Sequence, residues 1–215
     1  MKLITEDLRM GISWWRIQKA NKWPQDFHNT VYYELYDLRK NGLTERWWRN
    51  TVDRLWDWRA IRSRTPPNTK QEIQERGLEI LATVQVLYAD ITSKSDKEPI
   101  FLDFAWNEIC ELYQQISWIK NSASPNFPSK LGHFIFPKLF RVMDHEATGI
   151  ENYGLFWSSM SSVWNSFKEK EEARTILTNS IMEFSRRPVH EDYPFETKII
   201  ELCSIGRKAQ LGENY

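Results

Sequence analysis

Along most of this chain the apolar residues recur every three or four positions, and the periodic stretches are separated by proline, glycine and asparagine. The spacing predicts helices over 4–21, 25–40, 44–63, 69–91, 99–120, 128–136, 144–150, 153–167, 169–186 and 195–209. The breaks fall at Pro24, Asn41-Gly42, Pro66-Pro67-Asn68, Ser93 to Pro99, Ser122 to Asn126 and Pro188 to Pro194. No stretch alternates apolar and polar residues between turn signals, so the expected class is all-α. The clearest helix, 99–120, carries Leu102, Ala105, Trp106, Ile109, Leu112, Tyr113, Ile116 and Ile119 as one wide stripe, the pattern of a central core helix. A chain of 215 residues suits one compact multi-helix domain, with 1–92 and 99–215 as candidate lobes around a cleft.

Eleven tryptophans change the picture, because several alternate with arginine in Glu45-Arg46-Trp47-Trp48-Arg49 and Arg54-Leu55-Trp56-Asp57-Trp58-Arg59. Aromatic stripes at helical spacing are read as core, with arginine stems lying beside them; Trp48, Val52, Leu55 and Arg59 then face inward. The other reading is a wall facing nucleic acid, with Arg46, Arg49, Arg62 and Arg64 reaching phosphates. Lys plus Arg equals Asp plus Glu at 29 each, which excludes a uniformly basic coat and leaves room only for a local basic patch. Cys110 and Cys203 stand alone, and His28, His133, His145 and His190 show no paired ligand spacing, so neither a metal nor a cofactor is expected. No signal sequence or membrane-spanning run is evident, and a cytoplasmic protein without membrane contact is expected.

The stretch 127–150, FPSKLGHFIFPKLFRVMDHEATGI, is where chemistry concentrates. Pro128 suits a first helical turn, and Leu131, Phe134 and Ile135 follow at helical spacing, which places Lys130 and His133 near the edges of the buried face. Pro137 ends that helix near Phe136. After a compact apolar cluster, Asp144 stands where an N-cap would open the next helix. Lys130 and Asp144 thus belong to two short elements folded back on one another.

The run Pro128-Ser129-Lys130-Leu131-Gly132-His133-Phe134, continued by Phe136-Pro137-Lys138-Leu139-Phe140-Arg141-Val142-Met143-Asp144, resembles the C-terminal half of helix-hairpin-helix DNA glycosylases. It is most similar to divergent relatives of the 8-oxoguanine type, which include small bacterial proteins and a glycosylase of bacteriophage defence. The resemblance implies a glycosylase-like all-helical fold and two catalytic positions: Asp144, supporting departure of the base, and Lys130, the nucleophile in some branches. The glycine-rich hairpin of that superfamily is absent and the Lys130 to Asp144 separation is short, so a monofunctional enzyme is expected, with Lys130 as a phosphate contact the other possibility. The four-cysteine iron–sulfur cluster of some members is excluded by cysteine count.

In the same reading Lys120, Asn121, Ser122, Ser124, Ser129, His133, Arg141 and His145 are candidate DNA contacts, and Trp106 and Trp118 candidate walls of a base pocket. The expected activity is excision of a flipped, modified base, with glucosylated hydroxymethylcytosine of phage DNA as the candidate, leaving an abasic site in antiviral defence. The expected partner is double-stranded DNA, and a monomer is expected. The alternative is a non-catalytic helical module that binds nucleic acid or protein through the Trp/Arg helix.

Overall fold

The structure is a computed structural model that describes residues 2–18, 23–143, 148, 150 and 152–210. Among these residues there is no strand, and ten helices follow in order: α1 (Thr5–Ile17), α2 (Asn29–Arg39), α3 (Glu45–Asp57), α4 (Lys70–Glu79), α5 (Leu81–Ser93), α6 (Trp106–Ser117), α7 (Asn126–Ile135), α8 (Tyr153–Ser166), α9 (Lys170–Met182) and α10 (Phe195–Gln210). The fold is all-α, as the periodicity implies. No described helix is long and apolar enough to cross a membrane.

Local chemistry sets several of the boundaries. The Thr44 hydroxyl accepts the Trp47 N–H at the start of α3, Thr69 and Glu72 form a reciprocal capping box on α4, and the Asn152 side chain accepts the Leu155 N–H on α8. Where boundaries depart from the periodicity, a tertiary contact explains it. The stretch 69–91 is two helices rather than one, broken at Ile80: Trp48 seats against Gly77, and its indole N–H takes the carbonyl of Gln74 one turn before the break. The stretch 25–28 is a turn, with Phe27 and His28 in the left-handed region, and the Asp26 carboxylate accepts the Thr30 N–H of α2. Residues 100–105 also leave the helix, because the Phe101 N–H bonds the Lys138 carbonyl and its ring packs on Arg141. Leu102 is therefore 40% exposed and Ala105 exposed, whereas Ile109, Leu112, Ile116 and Ile119 are core.

One hydrophobic cluster runs from Leu3 to Ile205. Trp47, Trp48 and Trp58 are in it, so the Trp/Arg helix is core; Arg59, expected inward, is exposed beyond the helix end. Two glycines let the first and last helices touch. A Cβ on Gly11 would lie 1.9 Å from the Leu202 carbonyl oxygen, and one on Gly206 would lie 1.8 Å from that of Asp7. The Arg207–Asp7 ion pair at 3.1 Å closes the same seam.

Candidate functional site

The helix that carries Lys130 has no solvent face: every residue from Phe127 to Ile135 is buried. A helix apolar on nearly all sides belongs in the centre of a molecule, and its few polar groups need internal partners. They find them in the returning chain. Phe136 ends the helix, Leu139 and Phe140 turn back onto its carbonyl, and the segment then runs alongside α7. The Phe140 carbonyl lies 2.9 Å from His133 Nδ1. Three residues on, the Ser129 hydroxyl accepts the Met143 N–H at 3.2 Å, and its one proton is shared between the carbonyls of Asn126, at 3.2 Å, and Met143, at 3.3 Å. Gly132 permits this approach, since a Cβ there would meet the Phe140 ring at 2.8 Å. Asp144 and His145 lie outside the described residues.

Lys130 points the other way, into the end of α3. Trp58 caps α3, Arg59 is left-handed at φ 57, and the N–H groups of Arg59 and Ala60 bond back to Trp56 and Leu55. That is a Schellman closure with arginine where glycine usually stands. It leaves the Trp58 and Ala60 carbonyls for side chains: Lys130 Nζ donates to the first at 3.3 Å and Lys120 Nζ to the second at 2.9 Å. The Lys130 ammonium also lies 4.8 Å from the Trp58 ring and 5.8 Å from that of Trp23.

Beside it is a small cavity lined by Lys130, Glu201, Ser204, Trp23, Trp58, Val142 and Ile205, with a free volume of about 10 Å³. Glu201 is held there by Lys198, a fully buried ammonium 2.6 Å from its carboxylate and 4.9 Å from the Trp58 ring. Burial pushes the Lys198 amine down, and Glu201 partly restores it. The same ammonium is 3.3 Å from His28 Nδ1, and burial together with Lys198 holds His28 well below the usual histidine range. His133 is likewise held low by burial and then by Lys198. Its Nδ1 faces a carbonyl, which only accepts, so Nδ1 carries the proton and Nε2 accepts from the Tyr32 hydroxyl at 2.5 Å. Among the described residues, the centre of the molecule therefore holds two amines, one carboxylate and two neutral imidazoles around Trp58.

Three expected DNA contacts are placed where no phosphate reaches in this conformation. Ser129 and His133 are fully enclosed and engaged as described, and Arg141 is fully buried between Phe101 and Trp157, donating to the Trp157 carbonyl. All three follow from the encirclement of α7, which its one-sided spacing does not reveal. Lys120 is half-buried; Asn121 and Ser122 are exposed, Ser124 partly so. Ser122 and Ser124 accept backbone N–H groups within their own loop, from Ser124 and Asn126. The two candidate pocket walls part company: Trp106 packs against Tyr113, Tyr153 and Trp157, while Trp118 is 78% exposed, and neither lines the cavity at Lys130. Glu201 and Lys198 escape the sequence reading although a signal exists, a Lys/Glu pair three residues apart inside the apolar run of α10.

A larger cleft of about 720 Å³ lies at the far end of α7, against Tyr36, Tyr88, Phe136 and the ion pairs that Glu98 makes with Arg39 and Lys138. Its floor charges neutralise one another. The chain matches no family model, no curated protein and no solved structure.

Proposed function

We propose that this protein is a DNA N-glycosylase that flips a modified base from duplex DNA and leaves an abasic site. The observation that carries the reading is the fold-back along α7. Ser129 bonds the backbone of Met143, the last described residue before Asp144, and Val142 lines one small cavity with Lys130. Lys130 of the glycosylase-like run and the described stretch that leads toward Asp144 thereby share one cavity. Departure of a base leaves positive charge on the sugar, and a carboxylate beside C1′ stabilises that charge only as it develops. Water then completes the reaction. Lys130 serves as a cation in this scheme, because a carbonyl oxygen and an indole face are partners for an ammonium, and an ammonium has no lone pair for attack. The closed cavity holds no more than one water, so entry of a base requires its walls, Trp23 and Trp58 among them, to part. A bulky base of phage DNA, such as glucosylated hydroxymethylcytosine, is the proposed substrate in an antiviral role.

The test is abasic-site formation on glucosylated, hydroxymethylated and unmodified phage DNA and on an 8-oxoguanine duplex. Release from the glucosylated DNA is expected, and Asp144→Asn is expected to lower it roughly a thousandfold while DNA binding persists. Borohydride is expected to trap no covalent adduct; an adduct that disappears in Lys130→Ala would make Lys130 the nucleophile. A second reading, a non-catalytic DNA-binding module, is favoured by the structural use of Lys130 as the cap of α3. DNA binding without abasic sites on any substrate would select it.

A further inference from the structure

The side of the molecule outside the Lys130 cavity carries an unusual combination. Trp118, at the end of α6, is 78% exposed. Arg59, Arg62 and Arg64, in the loop that follows α3, are exposed too, and no described carboxylate lies within ion-pair distance of any of them. That is unlike Arg49 and Arg54 on the helix just before, which are paired with Glu45 and with Glu34 and Asp57. Lys120 belongs to the same group. Burial and the nearby Arg62 both push its amine down.

Two loops are zipped together to make this face. Asn68 Nδ2 donates to the Asn121 carbonyl and Asn121 N–H donates to Asn68 Oδ1, each at 2.9 Å. Arg76 donates to the Ile119 carbonyl at 2.6 Å, and Lys120 to that of Ala60. An exposed indole is thus held on a braced surface with guanidiniums that have no ion-pair partner among the described residues, Arg62 bonding only the Arg59 carbonyl at 2.9 Å. The brace also reaches the site: the Ala60 carbonyl held by Lys120 is two residues from the Trp58 carbonyl held by Lys130.

Fully paired DNA offers an indole nothing to stack on except a terminal pair, whereas every unpaired base has a free face. The chain is neutral as a whole, so arginines gathered here leave the remainder net negative and make this face the preferred place for a polyanion. We infer that this face is the platform for a locally unpaired DNA strand, with Trp118 stacking on a base and Arg59, Arg62 and Arg64 holding the flanking phosphates. The inference rests on the glycosylase reading for its choice of DNA, and it assigns to that site a substrate already opened, by mismatch, bulge or replication, rather than a closed duplex.

Binding of fluorescein-labelled DNA of one length is measured as a single strand, as a duplex with a central bulge, and as a fully paired duplex, by anisotropy at several salt concentrations. None of these carries an excisable base, so the result is independent of catalysis. The parent is expected to prefer the first two. Trp118→Ala is expected to weaken those two on the order of tenfold and to leave the paired duplex nearly unchanged. Arg62→Ala/Arg64→Ala is expected to lower the salt slope on single strand by about 1.4, for two phosphates released. Arg186→Ala, in the exposed loop after α9, is the control and is expected to bind as the parent does. Equal loss on paired duplex in Trp118→Ala, an unchanged salt slope in the double variant, or no DNA binding by the parent would each overturn the platform. Abasic-site formation by a protein whose platform variants bind normally would leave the glycosylase reading intact and remove only this one.

Discussion

Arg141 is a guanidinium enclosed by Phe101 and Trp157, with the Trp157 carbonyl as its hydrogen-bond acceptor and with Nε and Nη1 unmatched among the described residues. Burial pushes it down to about 9. Replacing a buried, incompletely satisfied charge by an apolar chain of similar length is often neutral or favourable. Arg141→Met is therefore expected to match or exceed the parent in urea unfolding, while Arg141→Ala, which leaves a hole between two rings, is expected to lose about 2–5 kcal/mol. Equal losses in both would mean that the charge itself is required. Arg141 also marks the limit of what the residues disclose by themselves. Pro137 announces the end of α7, and Lys130 is visibly on that helix. Which neighbours surround the helix is decided by segments far away in sequence, such as Trp58 and Tyr32, and so the burial of Ser129, His133 and Arg141 is not legible from local spacing.

At the scale of elements, helix periodicity places α8 and α10 within a residue of their predicted bounds, although α10 is buried on every side from Thr197 to Gly206. It fails where one distant side chain intervenes, as Trp48 does at Gln74 and Gly77, or where the chain turns aside to fill space, as Phe27 and Phe101 do. In the seam of α1 against α10 the closest approach is at Gly11 and Gly206, which add nothing to the apolar stripe that Leu8, Ile12 and Trp15 make legible. Gly206→Ala and Gly11→Ala are expected to destabilise the protein by about 1–3 kcal/mol or more, because each new Cβ would meet backbone, which cannot rotate away. Gly42 provides the contrast: its φ is +81 and nothing lies within 4 Å of where a Cβ would stand, so Gly42→Ala is expected to cost only the left-handed strain, about 1–2 kcal/mol. Thermal unfolding of the three variants checks the order.

The molecule as a whole encloses groups whose protonation is fixed by folding. His28 and His133 are held below the usual histidine range by burial, so the unfolded chain takes up protons that the native state refuses. Their contribution is fully present above about pH 6.5 and is lost as pH falls below it, by roughly 1.4 kcal/mol per pH unit for each ring. Tyr32, Tyr153 and Tyr193 are raised by burial, so stability is also expected to fall as pH rises above about 10, where unfolded tyrosines ionise. The depressed Lys198, Lys120 and Arg141 act in the opposite sense there, against Tyr113 and Cys203, which burial raises as it does the other three tyrosines. Urea midpoints from pH 4 to 11 are expected to trace a plateau with both shoulders; a flat acid limb would mean that the imidazoles are charged within the fold.

The glycine seam has one more consequence, for the time at which the protein becomes a protein. Arg207 and Asp7 meet across 200 residues of sequence, so α1, whose Trp15 finds Pro24, Trp23 and Trp58 early, lacks its helix partner until α10 has been made. Contacts so distant in sequence close late, and an apolar helix waiting for them is open to the wrong company. On a ribosome, α1 would be made long before the helix that covers it, and chains interrupted before α10 would be the ones that proteases clear and chaperones hold.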